Sequence, residues 1–264
     1  MCSHGEAASL KRVSVSIVSY NSADEIAAAI DSVLQYTHGV AVSVVIADNA
    51  SEDNTVALLR ERYPQVTVLE MGGNLGFGAA HNRAIATVDS EYHVVMNPDI
   101  TFDSDVLSAL AAYLDENETA VLATPLILNA DGSVQAVPRV LPKRRYMFAG
   151  QLERFGGVFR RWRDEYTRRR ETFDVPTAIA FCTGCFMMVR TATLKEVGGF
   201  DDRFFMYMED ADLSRRLARH GALMLVPDVK VTHRWEKASG KSGKFLKIHL
   251  QSMRRYFKKW RKAA

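Results

Sequence analysis

Through the first half of the chain, short apolar runs alternate with segments whose apolar positions recur every three or four residues. "VSVSIVSY", "VSVVIADN", "VTVLE" and "YHVVMNPD" have the two-residue period or unbroken apolar character of strands. "DEIAAAIDSVLQY", "DNTVALLRERY", "FGAAHNRAIATV" and "DSDVLSALAAYLDEN" carry helical spacing. Strands alternating with helices predict an α/β fold, with a mostly parallel central sheet flanked by helices. The fourth strand runs straight into Asn97-Pro98-Asp99. Proline lacks a backbone donor and pushes the residue before it toward extended geometry, so Pro98 is expected to end the strand and hold Asp99 at its tip.

After "AVLATPLIL" the pattern changes. "NADGSV" carries the Asp-Gly signal of a hairpin turn, and residues 139–175 form an arginine-rich stretch without clear period, read as a long loop or irregular helical segment. "TAIAFCTGCFMMVR" then reads as one strand, "TATLKEV" and "ADLSRRLARHG" as helices, and "ALMLVPDVKVTH" as a strand. At the end, Leu246, Leu250, Met253, Phe257 and Trp260 fall on one helical stripe, with Lys and Arg filling much of the rest of 241–262. Such a helix either packs on its own domain or lies on an anionic membrane surface, and both hold if only the basic flank faces lipid.

Composition narrows the class. Over 264 residues, 47% hydrophobic content supports a substantial core without disulfide staples. The three cysteines, Cys2, Cys182 and Cys185, are too few and too unevenly placed for a disulfide framework, which points to a reducing, cytoplasmic setting. Neither a secretory leader nor an apolar run long enough to span a bilayer is read. The net charge of +3 is modest, but "KRR" at 143–145, "RRWR" at 160–163 and "RRR" at 168–170 concentrate basic charge in the second half. The aromatics interleaved there match no nucleic-acid-binding module, so nucleic acid is not an expected partner. Cys182-Thr-Gly-Cys185 has no second pair to complete a zinc site and is read as packing.

Candidate chemistry gathers at strand ends. Asp48 closes the second strand, Asn74 and Gly76 follow the third, and Asp99 closes the fourth, so a parallel sheet brings them to one edge. The glycines of "GGNLGFG" do not match a dinucleotide fingerprint, and no Lys-Ser/Thr follows as a phosphate loop requires. Glu209 and Asp210 sit where the dipole of a following helix favours negative charge.

Six stretches in order carry a family resemblance: "VSIVSYN" (15–21), "ADNASED" (47–53), "GGNLGFGAAHNRA" (72–84), "NPD" (97–99), "GCFMMVRTATLKEVGGFDDRFFMYMEDADLSRRL" (184–217) and "VTHRW" (231–235). Together they resemble the family 2 inverting glycosyltransferases of GT-A fold, a Rossmann-like nucleotide-diphospho-sugar transferase architecture, and within them the bacterial rhamnosyltransferase-like members that build surface polysaccharides. The resemblance implies a donor site from Ser19, Tyr20, Asn21, Asp48, Asn74, Gly76, Phe77, Gly78, Asn82 and Asn97, with Asp48 accepting from the donor base. "NPD" resembles the Asp-x-Asp metal motif with Asn97 in place of its first carboxylate, leaving Asp99 and the late His233 as ligands of a divalent cation, Mg²⁺ or Mn²⁺. Asp210 resembles the general base, with Glu209 as the fallback and Asp212 after it.

The implied function is transfer of a sugar, rhamnose from dTDP-rhamnose in this subgroup, to a saccharide acceptor on a lipid pyrophosphate carrier. The implied place is peripheral, on the inner face of the cell membrane. The alternative is an inactive sugar-nucleotide-binding or scaffolding subunit, for which the Asn97 replacement is the only support in the sequence. Residues 1–240 are read as the transferase domain, with halves 1–128 for the nucleotide sugar and 129–240 for the acceptor and catalysis, and 241–264 as a basic amphipathic helix.

Overall fold

The computed structural model describes residues 10–135, 139–147, 149–234 and 243–261. One sheet organises them, in the order β3 (Thr67–Glu70), β2 (Ala41–Asp48), β1 (Arg12–Ser19), β4 (Tyr92–Met96), β8 (Phe186–Arg190), β6 (Ala120–Leu128), β9 (Ala222–His233), β5 (Ile100–Thr101), with β7 (Thr177–Ala178) also paired to β9. From β3 to β4 the pairs are parallel, because each strand is returned by a helix: α1 (Ile26–Tyr36), α2 (Thr55–Arg62) or α3 (Phe77–Ile85). Beyond β4 the sheet is mixed: β8 runs antiparallel to both neighbours, β6 and β9 are parallel, and β5 closes antiparallel on β9.

β1, β4 and β8 are almost wholly buried, as expected for strands covered on both faces. On one face α1 and α4 (Val106–Glu116) bury Ile26, Ile30, Leu107, Leu110 and Leu114 against the sheet, and Asp105 caps α4 by accepting from the Ser108 N–H. On the other, α3 docks through polar contacts: Ser16 Oγ joins His81 Nδ1 and His93 Nε2, each at 2.8 Å. Burial pushes both histidines well below their ordinary pKa, which makes this a neutral structural chain inside the helix–sheet seam.

Two elements differ from the sequence pattern. "TAIAFCTGCFMMVR" is two strands, β7 and β8, separated by an irregular turn over 179–185 that turns Gly184 toward the sheet edge. The arginine-rich stretch is mostly helical: α5 (Arg144–Met147), α6 (Ala149–Leu152), a 3₁₀ turn (Glu153–Phe155) and α7 (Gly157–Thr167). Its arginines pair with acids elsewhere in the segment, Arg145 with Glu165 and Arg169 with Glu153, contacts that leave no apolar period to read. The "NADGSV" turn is a hairpin, with Gly132 at φ 81° and Asn129 N–H donating to Ser133 O at 2.8 Å.

α8 (Thr191–Glu196) and α9 (Glu209–Leu217) follow β8, and α10 (Gly243–Lys259) is the last helix of the described residues. Met253, Tyr256 and Phe257 of α10 and Trp260 just beyond it pack with Phe181, Phe204, Met208 and Ala211, so the C-terminal part of the stripe covers its own domain while Leu246 and Leu250 stay exposed. Among the described residues no helix is long and apolar enough to cross a membrane.

Candidate active site

Because β4 is parallel to β1 while β8 and β5 run antiparallel to their neighbours, the C-terminal ends of β1, β2, β4 and β9 and the N-terminal end of β8 share one edge. Pro98 follows the last strand residue, Met96, by two positions, and Asn97 N–H donates across the edge to Cys185 O at 2.9 Å. Asp99 is held at this tip by Arg234 N–H, which donates to Asp99 O at 3.1 Å. His233 Nε2 lies 3.3 Å from Asp99 Oδ1 and 3.5 Å from Asn97 Nδ2. Thus Asn97, Asp99 and His233, 136 residues apart in sequence, meet at one point.

The tautomer of His233 follows from its neighbour. Gln135 Nε2 donates to His233 O at 3.0 Å, so Gln135 Oε1 is the atom facing His233 Nδ1, at 3.1 Å. Nδ1 therefore carries the hydrogen, and Nε2 presents its lone pair to Asp99 Oδ1, which is buried without a hydrogen-bond partner. Two electron-pair donors facing one another across a contact distance fit a cation between them, and the Gln135 bond fixes the ring as metal-bound imidazoles require. Among the described residues no three His, Cys, Asp or Glu side chains form a metal cluster, so the chain offers two donors and leaves further positions for oxygen ligands. Gln135 has no signal in the sequence; it is aligned by the hairpin at 129–133.

At the neighbouring strand ends, Asp48 is 2% exposed and caps its own turn. It accepts from Ser19 Oγ (2.8 Å), Ser51 Oγ (2.5 Å) and Ser51 N–H (2.9 Å), which leaves acceptor capacity on Oδ2. Asn21 adopts φ 53° and accepts from Glu52 N–H at 2.8 Å, joining the loops after β1 and β2, while Tyr20 stands half exposed beside them. Asn49, adjacent to the expected residue, does much of the loop work: it donates to Gly76 O and accepts from Leu75 N–H. Gly76, at φ 87°, has no room for a side chain, because a Cβ there would fall 2.2 Å from Phe205 O.

Three expected donor residues have structural partners. Asn82 spends its amide on Phe200 N and O, each at 2.8 Å, and on Asp202 Oδ1 at 2.5 Å, pinning α3 to the loop after α8. Phe77 packs edge-on against His81 and Phe200, and Gly78 lacks a side chain because Phe200 Cβ would meet its Cβ at 2.7 Å. Asn74 remains exposed at the turn, accepting from Gly76 N–H at 3.0 Å.

The paired acids are also at this edge. Asp210 Oδ1 accepts from Ala211 N–H at 2.8 Å and Oδ2 from Gly184 N–H at 3.3 Å, beside the Cys185 that anchors Asn97. Burial pushes the Asp210 carboxyl above the ordinary aspartate range, against the pull of those two N–H groups and of Arg139. Glu209 is also pushed up, by burial first and by the Asp210 charge second, and its Oε2 is buried with no hydrogen-bond partner. Tyr207 and Met208, immediately before them, sit at φ 69° and 71°, two consecutive non-glycine residues in the left-handed region. Such strain persists only where the surroundings over-determine it, and it aims the start of α9 at the edge. Asp212 is excluded as a base: it is fully buried and clamped by Arg216 Nε (2.8 Å), Lys259 Nζ (2.8 Å) and Trp260 Nε1 (2.9 Å). Cys182 and Cys185 are buried free thiols, both pushed up by burial, Cys185 to about 11, so the pair packs rather than reacts.

Solved structures define the class. The chain superposes on GalNAc-T7 crystallised with UDP, GalNAc and Mn²⁺ with a TM-score of 0.67 at 17% identity, over 94% of this chain and 48% of that one, so it spans about half that protein's length. It matches the mannosyltransferase PcManGT from Pyrobaculum calidifontis, in complex with GDP-Man and Mn²⁺, with a TM-score of 0.61 at 19% identity, over 96% of this chain and 64% of that one. The fold is that of GT-A glycosyltransferases. The Glycosyl transferase family 2 profile matches residues 14–198, and the chain belongs to that family. It is 34% identical over 216 residues to an N-acetylglucosaminyl-diphospho-decaprenol L-rhamnosyltransferase of Mycobacterium tuberculosis, covering 76% of this chain and 69% of that protein. It is 30% identical over 200 residues to Rhamnosyltransferase WbbL of Escherichia coli strain K12, covering 70% of this chain and 71% of that one.

Proposed function

We propose that this protein transfers rhamnose, with inversion, from a nucleotide diphosphate donor such as dTDP-rhamnose to a sugar carried on a polyprenyl diphosphate, in the assembly of bacterial surface polysaccharide. The observation that carries the reading is the shared edge: an open two-donor site, Asp99 and His233, stands beside an acid pair whose members are both shifted upward. The two rhamnosyltransferase relatives support the choice of sugar and acceptor.

Asp99 Oδ1 and His233 Nε2 would hold a divalent cation, Mg²⁺ or Mn²⁺, with Asn97 as a neutral neighbour able to hydrogen-bond the donor. Such an ion supplies charge for the departing nucleoside diphosphate. The solved Mn²⁺ complexes of the same fold support a divalent ion in general. Ser19, Tyr20, Asn21 and Asp48 receive the donor nucleoside: Asp48 Oδ2 accepts from the base, and the exposed Tyr20 ring offers it a face. Asn74 and Gly76 shape the rim of the same loop set. Asp210 takes the proton from the acceptor hydroxyl as that oxygen attacks the anomeric carbon from the side opposite the leaving group. Its two backbone donors hold the carboxylate still, and its raised pKa makes it a stronger base than an exposed aspartate. Glu209 stays neutral alongside, so that the pair does not carry two adjacent buried charges. A binding-only scaffold has no use for such a pair.

Calorimetry of dTDP-rhamnose with Mg²⁺ or Mn²⁺ tests the donor site. Binding is expected to weaken at least tenfold on chelation and in Asp99→Ala, the lower end of what loss of one charged ligand costs. Affinity indifferent to both would remove the metal role from Asp99 and His233.

A membrane surface is the second part of the proposal. Leu246 and Leu250 are 52% and 42% exposed on α10, and a groove of about 460 Å³ with Met253 and Phe257 on its floor is rimmed by Arg144, Arg254, Lys258 and Arg261. This basic, apolar face suits an anionic lipid surface, which places the protein peripherally on the inner face of the membrane, its domain and α10 acting as one unit. Because α10 also packs on the domain, the test is charge reversal rather than deletion. Arg254→Glu/Lys258→Glu/Arg261→Glu is expected to weaken co-sedimentation with anionic vesicles by about a hundredfold, at ~1 kcal/mol per basic residue. Unchanged co-sedimentation would reject the lipid contact.

A further inference from the structure

Against Glu209 and Asp210 lies a cavity of about 310 Å³, lined also by Tyr146 and Tyr166. Two guanidinium groups, Arg139 and Arg163, line it. Among the described residues neither makes an ion pair within 4.0 Å, whereas Arg145, Arg168, Arg169 and Arg170 of the same region all do. Arg139 Nε is buried without a hydrogen-bond partner, and its guanidinium stands 5.7 Å from the centre of the Tyr166 ring. Burial lowers the Arg163 pKa, and the Arg139 charge lowers it further, so the two cations are close enough to repel. The counter-charge felt at Arg163, Glu153, is already bound by Arg169 at 2.5 Å. Like charges held together in a partly desolvated cavity with an open N–H are built for an anion, and guanidinium forks match phosphate oxygens.

We propose that Arg139 and Arg163 bind the diphosphate of the acceptor, so that the enzyme selects a sugar that carries its phosphate directly on the anomeric carbon. This inference rests on the acceptor class proposed above. The cavity touches the base, so an acceptor whose hydroxyl reaches Asp210 has its anomeric oxygen one sugar ring away, among the arginines. A cavity of this size takes about one sugar and its phosphates, at the small end of ligand pockets. The route of the lipid tail is continuous with it. Tyr146 and Arg144 share α5, and His249 and Leu250 are consecutive on α10, so the cavity opens between these helices toward the apolar groove.

The test uses the full chain and two synthetic probes, N-acetylglucosamine linked to a short alkyl diphosphate and the same sugar as a neutral alkyl glycoside. Calorimetry is expected to show the wild type binding the diphosphate probe more tightly than the neutral one. Arg163→Gln and Arg139→Gln should each weaken the diphosphate probe by about ten- to a hundredfold, the usual loss for a charge-assisted bond, without changing the neutral probe. Equal loss for both probes, or none in either variant, overturns the inference. So does a matching loss of dTDP-rhamnose affinity, which would assign the arginines to the donor. Arg163 is only partly buried on α7, so its variant keeps the test alive if Arg139→Gln does not fold, as thermal melting will show. Transfer is scored separately: arginine-dependent binding without transfer would reject the proposed reaction and leave the anion site standing.

Discussion

Asp210→Asn is expected to lower kcat by about 10²–10⁴-fold, the usual contribution of a general base, with donor affinity and melting temperature close to wild type. Asparagine keeps the shape and the bonds from Gly184 and Ala211 while removing the capacity to take a proton. Glu209→Gln should stay within about tenfold of wild-type turnover, because Asp210, and not Glu209, is held by Gly184 at the sheet edge beside Asn97. The pH profile separates the two acids as well. Burial raises the Asp210 pKa, so turnover must climb with pH through an ionisation above the ordinary aspartate value of 3.8. Glu209 bears on stability with the opposite sign to a salt-bridged carboxylate. Its folded pKa lies above the ordinary 4.5, so ionising it penalises the folded state, and the penalty grows as pH rises beyond that value. Glu209→Gln should therefore flatten the loss of stability toward alkaline pH. Full turnover in Asp210→Asn, with loss in Glu209→Gln, would exchange their roles.

Asp212→Ala is expected to destabilise the protein by about 3–5 kcal/mol, because it strips the partner from cations in a buried network. Lys259 bridges Asp212 and Asp201, Arg216 contacts Asp212, and the Trp260 indole donates to it, so one carboxylate holds α9, α10 and the loop at 201–208 together. Asp201 is itself held well below the usual carboxylate range, first by Arg203 and then by Lys259. That stability is present above the ordinary aspartate value and is lost as pH falls through the depressed one. Calorimetric melting should show Asp212→Ala lower by roughly 6–20 °C, taking 2–4 °C per kcal/mol for a chain of this size. A shift under about 2 °C would mean that the network is ornamental and that α10 is held by its apolar face alone. The same network explains why the last helix matters near the base. Ser252 Oγ donates to Met206 O at 2.8 Å, and the His249 ring stacks on Tyr207 at 4.9 Å, so α10 braces the strained residues that precede Glu209 and Asp210.

What could be read from the sequence follows the physics of each feature. Strands β1, β2, β4 and β9 and helices α1 and α4 announce themselves, because buried elements must repeat apolar residues at the period of their geometry. The place of Asp99 at a strand tip is legible because Pro98 ends the strand by local chemistry, whereas Asp210 and His233 are singled out only by the family resemblance. The break in "TAIAFCTGCFMMVR" was not legible, since an apolar run says nothing about where a turn serves a distant carboxylate through Gly184. Gln135, Arg139 and Arg163 act only through partners far away in sequence, and no spacing rule marks them. Asn82 is a donor residue by resemblance alone, and nothing in the sequence signals that its amide meets Phe200 and Asp202, more than a hundred residues away.

The most direct measurement is a transfer assay with dTDP-rhamnose, a polyprenyl diphosphate bearing N-acetylglucosamine, and Mg²⁺ or Mn²⁺, with the anomeric configuration of the product read by NMR. The account predicts rhamnosyl transfer with inversion, abolished by chelator and reduced at least about a hundredfold in Asp210→Asn. Retention of configuration, or undiminished transfer in Asp210→Asn, would contradict it.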